Sequence, residues 1–511
     1  MDFIKRTLPI LLGIFLLSVL VRLPQLNRPL AGHHEFCTAE SLRVMQIWYD
    51  NGIEKYRFNP VMTFNHEADK RINNHANQSG KMIDAEGNYY YVSHPPFAYY
   101  FPYAIFRLLN IRPDVLPLQV FNLMLHFISG LFVYFMVCLL SFNRARALPY
   151  RSAIIAFALY VFMPVTMWFQ GNVYMSDMAV HTLYIIGVYV ALKMIIRQKF
   201  NSLKYIFFYV LVLGLMIYTS WLGLFFAFGV LVYSLLHVRD IPGFKTLIWS
   251  TVLVTVLTVQ LIIYQYAQIN GPMAYLEEMI GRYLLRGSFS DTDHGLLYFM
   301  FGYLWLLKTL LYNYVIHYIV VFALIGLFIW IAGTHKKLKI VFSENGYRFI
   351  WLSVMPVVLL HIVFLNYSTH DFTALYASLF FSVLLGILYD KMKKSGAIPL
   401  RNMRIAFVVT ILLLTAQFYA MNPPMEKARY KNLGHLYGTT AATDEMIFSN
   451  DSEGSPEPQV IFYAQRNVQF AKDTTEVLTI MQQRKRQKGV FISTQFRDEG
   501  VVVTQEFHLQ R

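Results

Sequence analysis

Residues 32–42, GHHEFCTAESL, place two histidines and two glutamates directly after a long apolar run. A carboxylate such as Glu35 or Glu40 can act as a general base toward an acceptor hydroxyl, or help to hold a divalent ion. His34 adjoins Glu35 and could share either task. The alternative is an ordinary solvated loop, so this segment alone assigns no chemistry.

Three basic side chains are candidates for binding a phosphate group. Arg282 and Arg286 are spaced i, i+4 on a predicted helix, so their forked guanidinium groups lie on one face. His94 precedes Pro95-Pro96, and a helix started by proline offers free N–H groups to an anion at its first turn. The alternative is that all three are interfacial side chains of a membrane protein.

Acidic residues also stand where predicted membrane helices begin. Asp177 in GNVYMSDMAVH could bind an acceptor or a metal ion, or could cap the free N–H groups of its helix. His370, Asp371 and Tyr376 in STHDFTALY are either substrate-binding groups or a cap within an aromatic belt. One further polar group matches no strong metal-ligand spacing: His66, Glu67, Asp69 and His75. The sequence therefore assigns no metal ligands.

The chain that must position these groups has the composition of a membrane protein. Of its 511 residues, 56% are hydrophobic and only 14% are charged, whereas soluble proteins carry about a quarter charged residues. Apolar stretches near the length that spans a bilayer recur along most of it. The composition predicts a polytopic α-helical membrane protein, and the first apolar run lacks a signal-peptide cleavage site.

About eleven spans fit the apolar runs. They are placed near 7–26, 117–140, 152–169, 177–196, 203–219, 221–237, 245–267, 311–333, 349–366, 372–390 and 403–420. Alternate loops are rich in Lys and Arg, whereas GNVYMSD, TSW and NYSTHD contain neither. The positive-inside rule then predicts a cytoplasmic N-terminus and places 27–116, 268–310 and the tail on the outer face. The net charge of +14 sits in the cytoplasmic loops, where lipid and topology explain it without nucleic acid.

Two domains are expected. Residues 1–420 form the transmembrane domain, including outer loops 27–116 and 268–310, and residues 421–511 form a small extracytoplasmic α/β domain. AESLRVMQIWYDNG predicts a helix on the membrane surface, and the double proline starts a short aromatic helix. In the tail, QVIFYAQ, GVFIS and VVVTQEF are predicted strands, and TTEVLTIMQQRKRQ is a predicted helix.

The order of these features resembles the GT-C glycosyltransferase superfamily, most closely its protein O-mannosyltransferase and aminoarabinose-transferase branch. His34-Glu35 stands where that branch has Asp-Glu, and Ala39, Glu40 and Arg43 continue the pattern. His94-Pro95-Pro96-Phe97 is similar to its Lys-Pro-Pro-Leu. The resemblance covers about residues 1–420 in topology, although its motifs are short.

The same resemblance extends to the acids at later spans. Asp177 falls where a second acidic residue is expected, and His370-Asp371 with Tyr376 resembles a motif of bacterial members. Two departures matter. His34 in place of aspartate leaves open whether His34, Glu35 or both act as the base. His94 in place of lysine weakens phosphate binding at neutral pH, because an unperturbed histidine is mostly neutral there.

The resemblance implies an inverting glycosyltransferase that moves a sugar from a polyprenyl-phosphate donor to a lipid, glycan or protein acceptor. The roles it implies are catalytic for Glu35, His34 and Asp177, donor-phosphate binding for His94, Arg282 and Arg286, and substrate binding for Glu40, His370, Asp371 and Tyr376. No cofactor is fixed, and a divalent metal ion is left open. YYYVSHPPFAYYFPY is expected to line the sugar and lipid groove.

The expected location is a bacterial inner membrane, with the active site and the C-terminal domain in the periplasm. The main alternative is a transporter or flippase of a lipid-linked glycan, which would bury charged residues within its spans. The polar groups instead gather on one predicted face, which favours chemistry over transport. A non-catalytic scaffold with an outer binding domain is a third possibility.

Overall fold

The computed structural model describes residues 2–74, 76–141, 150–287, 296–334, 343–396, 398–423, 428–450, 456–497 and 500–510. The helices of its larger, N-terminal part are α1 Asp2–Arg22, α2 Glu35–Asn51, α3 Phe97–Leu108, α4 Val115–Leu140, α5 Tyr150–Phe162, α6 Pro164–Phe169, α7 Ser176–Arg197, α8 Leu203–Ile217, α9 Leu222–His237, α10 Phe244–Gly287, α11 Leu296–Thr334, α12 Glu344–Val363, α13 Ser378–Ser395 and α14 Leu400–Met421.

Eight stretches within the described residues are helical, long and apolar enough to cross a membrane. They correspond to α1, α4, α7, α10, α11, α12, α13 and α14, with α13 extended back to Asp371. Three shorter apolar helices, α5, α8 and α9, fall on the other predicted spans. Each of the eleven apolar runs is thus helical over most of its length, and the prediction of a polytopic helical protein is confirmed.

Two predicted segments differ in detail from the structure. The span predicted at 152–169 is interrupted between α5 and α6, where Met163 is extended before Pro164 because a proline disfavours helical backbone in the preceding residue. The predicted outer loop 268–310 is largely helical. α10 breaks at Asn270 and Gly271, where Gly271 adopts a positive φ of 84°, and then continues to Gly287. α11 begins at Leu296, well before the predicted start of its span.

The end of the bundle at which α1 ends and α7 begins is called here the site end. It carries the segment between α1 and α4, the last turns of α10 and the connection between α12 and α13. Helix α2 lies at this end, but it is not the predicted surface helix. Leu42, Met45, Ile47 and Trp48 are all buried, because α2 packs against α3, α4 and the C-terminal region.

The C-terminal region is a small α/β unit. Its elements are α15 Arg429–Thr440, β1 Met446–Ser449, α16 Pro458–Ala464, β2 Val468–Phe470, α17 Thr474–Gln483, β3 Lys488–Arg497 and β4 Gly500–Gln510. The sheet order is β2-β1-β3-β4, with β1 parallel to β2 and β3, and β4 antiparallel to β3. The predicted helix and the last two predicted strands are confirmed.

The predicted strand QVIFYAQ is wrong, because those residues form α16. Pro458 starts this helix at a position where its missing N–H costs nothing. Parallel strands β1 and β2 also require a crossover connection, and α16 supplies it. The apolar residues that suggested a strand are buried instead against α15 and α2, as Val460 and Ile461 illustrate.

Candidate active site

Glu35 is held by the loop that leads into α2. Its carboxylate accepts hydrogen bonds from both terminal nitrogens of Arg28, at 3.0 and 2.8 Å, and from the backbone N–H groups of Ala31 and Gly32, at 2.9 and 2.7 Å. The side chain of Glu35 is almost fully buried. Oε2 accepts three of these four hydrogen bonds and Oε1 accepts one, all from within the loop 28–35. The carboxylate of this predicted base therefore contacts its own loop and not the other predicted site residues.

Three histidines surround the carboxylate of Asp371. His33 Nε2 and His34 Nε2 lie 3.0 and 2.9 Å from Oδ1, and His317 Nε2 lies 3.0 Å from Oδ2. The side chain of His34, at the N-terminus of α2, is only 9% exposed, whereas that of His33 is 58% exposed. The hydrogen bond that the His33 ring donates to Asp371 raises the pKa of His33. The structure thus brings the predicted residues His34 and Asp371 into direct contact.

Asp177 also contacts a predicted residue, Tyr376, although not as a helix cap. Its carboxylate accepts hydrogen bonds from the hydroxyl groups of Tyr367 and Tyr376, and that of Tyr367 lies 2.8 Å from both oxygens. The N-cap position of α7 is Met175, and no side chain caps the helix there. Asp177 therefore connects the start of α7 to the segment between α12 and α13.

Arg286 lies beside this tyrosine pair. Its guanidinium carbon sits 4.7 Å from the centre of the Tyr367 ring, and one terminal nitrogen lies 3.3 Å from His94 Nε2. Burial, followed by the charges of Arg286 and Arg282, lowers the pKa of His94 well below its usual value. His94 is therefore neutral and accepts a hydrogen bond from Arg286, so it orients this arginine instead of adding a charge.

Arg282 projects from the same face of α10 one turn earlier. Its Nε donates to Glu278 at 2.6 Å, and its guanidinium carbon lies 5.7 Å from the centre of the Tyr91 ring. Arg282 and Arg286 line a cavity of about 210 Å³. The rest of its lining is mostly apolar: Ser93, Trp221, Met279, Tyr283 and Phe364.

Glu278 fixes the turn of α10 that carries these arginines. Besides Arg282, its carboxylate accepts hydrogen bonds from the backbone N–H groups of Gln78 and Ser79, at 2.9 and 2.7 Å. The end of α10 is thereby tied to the segment between α2 and α3. The segment between α2 and α3 therefore stabilises the position of the helical turn that carries the two arginines.

Glu40 lies one helical turn beyond Glu35 and has a different environment. Among the described residues its carboxylate meets the charges of Arg43 and Arg282 but forms no hydrogen bond. Burial raises its pKa to about 7, although the charges of Arg43 and Arg282 oppose this shift. Burial, followed by the charge of Glu40, raises the pKa of Tyr91, whose ring faces Arg282. A half-buried carboxylate that titrates near neutrality is suited to accept a proton.

The remaining predicted residues have other surroundings. His370 stacks on Phe372, with ring centroids 5.3 Å apart, and its ring lies 5.7 Å from that of His34. In the aromatic segment, Tyr91 faces Arg282, whereas Tyr99, Tyr100 and Tyr103 pack around Trp48 of α2. Most of that segment therefore joins α3 to α2 instead of lining a groove.

The polar group at 66–75 serves mainly to attach the C-terminal region. Asp69 accepts two hydrogen bonds from Arg466 Nε, both at 3.1 Å, and the side chains of both residues are buried. Glu67 pairs with Arg486 at 3.1 Å. His75 lies outside the described residues.

Four residues that complete these contacts were not predicted as site residues: Arg28, His33, His317 and Tyr367. Two of them left a detectable signal. His317 is a histidine inside an apolar span, and such residues are functional candidates by default. His33 belongs to the histidine pair that opens α2. Nothing in the sequence pairs Arg28 with Glu35 or Tyr367 with Asp177, because those contacts depend on the fold.

No family model matches the chain, and no curated protein matches it. Several solved structures do match this chain in fold. The archaeal oligosaccharyltransferase AglB from Archaeoglobus fulgidus, in complex with an inhibitory peptide and a dolichol-phosphate, is 12% identical with a TM-score of 0.58 over 96% of this chain and 70% of its own. The apo form of the A. fulgidus enzyme gives 13% identity and a TM-score of 0.59 over the same shares.

ArnT from Cupriavidus metallidurans, bound to undecaprenyl phosphate, is 12% identical with a TM-score of 0.58. The match covers 96% of this chain and 93% of ArnT. These neighbours are GT-C glycosyltransferases. At such low identity the likeness extends to the fold alone, and the chain has the GT-C membrane fold predicted from its motifs.

Proposed function

We propose that this chain, which has the GT-C fold, is a membrane glycosyltransferase that uses a polyprenyl-phosphate sugar as its donor. One observation carries the proposal. Two arginines line a largely apolar cavity at the site end, and a carboxylate without a hydrogen-bond partner among the described residues lies close enough to feel the charge of one of them. This combination suits an anionic lipid headgroup whose neighbouring sugar reacts with a nucleophile. ArnT and AglB, which share the fold, have been captured with lipid phosphates.

The donor phosphate would bind to Arg282 and Arg286. Their forked donors match phosphate oxygens, and each charge-assisted hydrogen bond contributes about 1.5–3 kcal/mol. Tyr283, Leu284 and Leu285 are exposed on the intervening turn of α10, so the lipid tail can lie along this helix while the phosphate contacts the arginines. Neutral His94 would orient Arg286.

Glu40 would be the general base. The acceptor oxygen attacks the anomeric carbon of the donor, its proton passes to the Glu40 carboxylate, and the bond from that carbon to the phosphate oxygen breaks. The electron pair leaves with the polyprenyl phosphate, whose added charge Arg282 and Arg286 stabilise. A single displacement of this kind inverts the anomeric centre.

The other predicted catalytic residues would then position the site. Glu35 and Arg28 fix the loop before α2, and therefore the helix that carries Glu40. Asp177 holds Tyr367 against Arg286. Glu35 is the residue for which this proposal departs furthest from the sequence prediction, because its buried carboxylate is bound by Arg28 and by two backbone N–H groups of its own loop.

The basic connections support the predicted orientation. Described Lys and Arg residues cluster in or beside the connections α7–α8, α9–α10 and α13–α14, at the end opposite the site end: Arg197, Lys199, Lys204, Arg239, Lys245, Lys391, Lys393, Lys394, Arg401 and Arg404. By the positive-inside rule that end is cytoplasmic. The site would then face the periplasm of a bacterial inner membrane, together with residues 421–511 as a separate domain, and the acceptor would be a lipid, glycan or protein.

The test is transfer by the purified full chain, reconstituted in lipid nanodiscs. Radiolabelled polyprenyl-phosphate sugars are offered with a membrane extract as the source of acceptor. Glu40→Gln should lower turnover roughly 100- to 10,000-fold, the usual range for loss of a general base. Arg286→Gln should weaken donor binding roughly 10- to 100-fold, as expected for one charge-assisted contact.

Matched controls are Glu54→Gln and Arg239→Gln, which remove the same groups from exposed positions. Both should transfer like the parent chain. Movement of the labelled donor across a liposome bilayer without formation of a glycosidic bond would support the flippase alternative and reject the enzyme. Full turnover by Glu40→Gln would reject Glu40 as the base.

A further inference from the structure

Asp371 and its three histidines form a cluster that the proposed transfer step does not use. His33 and His34 direct Nε2 atoms at the same oxygen of Asp371, at 3.0 and 2.9 Å, and their ring centroids are 4.1 Å apart. One ligand atom from each of the three residues lies within 4.8 Å of the other two. Two imidazoles and one carboxylate converging in this way make a recurrent ligand set for transition metals.

We propose that His33, His34 and Asp371 bind one divalent transition-metal ion of the zinc class. In a tetrahedral zinc site the bonds to nitrogen and oxygen are about 2.0–2.2 Å, which separates the ligand atoms by a little over 3 Å. The separations from Asp371 Oδ1 to the two histidine nitrogens are already close to that value. Small rotations of the rings would open the central position for an ion.

The backbone around the ligands is fixed before any ion binds. His34 has a positive φ of 59°, a strained conformation for a residue other than glycine. The preceding loop is held by the Arg28–Glu35 ion pair and by the N–H groups of Ala31 and Gly32. At Gly32 even a Cβ atom would stand 2.7 Å from a terminal nitrogen of Arg28. A metal site needs such rigid support for its ligands.

His317 would orient the carboxylate ligand from behind. Its Nε2 lies 3.0 Å from Asp371 Oδ2, the oxygen that the other two histidines do not contact. The side chain of His317 is buried in α11, whereas that of His33 is 58% exposed. Oδ1 is thereby left for the ion, and the ion would have an open coordination position on the side of His33. Three protein ligands with an open fourth position characterise zinc sites that bind a further molecule.

Direct metal binding tests this site without any transfer assay, so its outcome is separate from that of the proposed function. The purified full chain is stripped with a chelator and titrated with Zn²⁺ against a chromophoric chelator, and with Co²⁺ while its visible absorption is recorded. We expect one ion per chain and the intense visible bands of tetrahedral Co²⁺. Absence of stoichiometric binding at micromolar metal, or an octahedral Co²⁺ spectrum, would overturn the proposal.

Variants locate the ion. His33→Ala should abolish tetrahedral Co²⁺ binding without disturbing the fold, because the side chain is largely exposed. His317→Gln should weaken Zn²⁺ binding about 10- to 100-fold, the usual effect of losing a group that orients a ligand. His435→Ala is the control, since this exposed histidine lies on α15. Equal affinity in His33→Ala and His435→Ala would show that the ion binds elsewhere and would reject the site.

Discussion

Glu35→Gln separates a structural glutamate from a catalytic one. The substitution keeps the size of the side chain and removes its charge. Glu35 accepts four hydrogen bonds, two of them from Arg28, and an amide has a single oxygen with which to accept them. Removing one partner of a buried ion pair costs about 3–5 kcal/mol, because the other charge stays buried without compensation. We expect a loss of that size in the free energy of unfolding.

The assay is equilibrium unfolding in mixed micelles with increasing dodecyl sulfate, paired with transfer activity per folded molecule. Glu54→Gln is the control because Glu54 is exposed. The double variant Arg28→Met with Glu35→Gln should be more stable than Glu35→Gln alone, since it leaves no unpaired charge. Activity per folded molecule should change less than tenfold. Unchanged stability together with a loss of activity of more than 100-fold would show that Glu35 is the base and would refute this reasoning.

Three further predictions follow from other contacts. Transfer should rise with pH through about 7 and level off above it, because the proposed base Glu40 must be deprotonated and burial raises its pKa to about 7; a profile with no such limb would contradict this role. Tyr367→Phe should cost about 1–3 kcal/mol of unfolding free energy by removing a donor from Asp177. Its donor KM should also rise, because the hydroxyl by which Asp177 holds the ring against Arg286 is lost; an unchanged KM would argue against this positioning role. Arg466→Met should leave the buried carboxylate of Asp69 without its cation. Amide hydrogen exchange throughout 429–510 should then become faster. Exchange rates equal to those of the parent chain would show that this ion pair does not attach the C-terminal region.

The parts of the fold that the sequence predicted are those that depend on local composition. Apolar runs and the proline pair Pro95-Pro96 located the spans and α3, because length and backbone restriction act within a single segment. Boundaries failed where tertiary structure decides them. Helix α2 looked half-exposed by its pattern, but the C-terminal region covers its outer face. α16 looked like a strand because apolar residues alone do not distinguish a buried helix from a buried strand.

The residue types of the candidate site could be predicted from the sequence, but most of the contacts between these residues could not. Arg282 and Arg286 were found because an i, i+4 pair on one helix is a local pattern. The partners of Glu35 and Asp371 come from segments far apart in the chain, and only folding brings them together. Arg22 shows the same limit: it lies within the first predicted span, and only the structure shows that it is buried with its terminal nitrogen 3.0 Å from His126 Nδ1.

The contacts at the start of α2 explain why Glu40, and not Glu35 or His34 of the motif, is the proposed base. Glu35 cannot leave its four donors without releasing Arg28 into a buried space, and His34 already contacts Asp371. Glu40 lies five residues later, on the same helix, and keeps a carboxylate that no described residue binds. The rigid loop before α2 fixes the direction of this helix, and therefore the position of Glu40 relative to Arg282. Loss of the Glu35 charge should accordingly reach the reaction only through the placement of α2, which is why stability and turnover must be measured on the same variant.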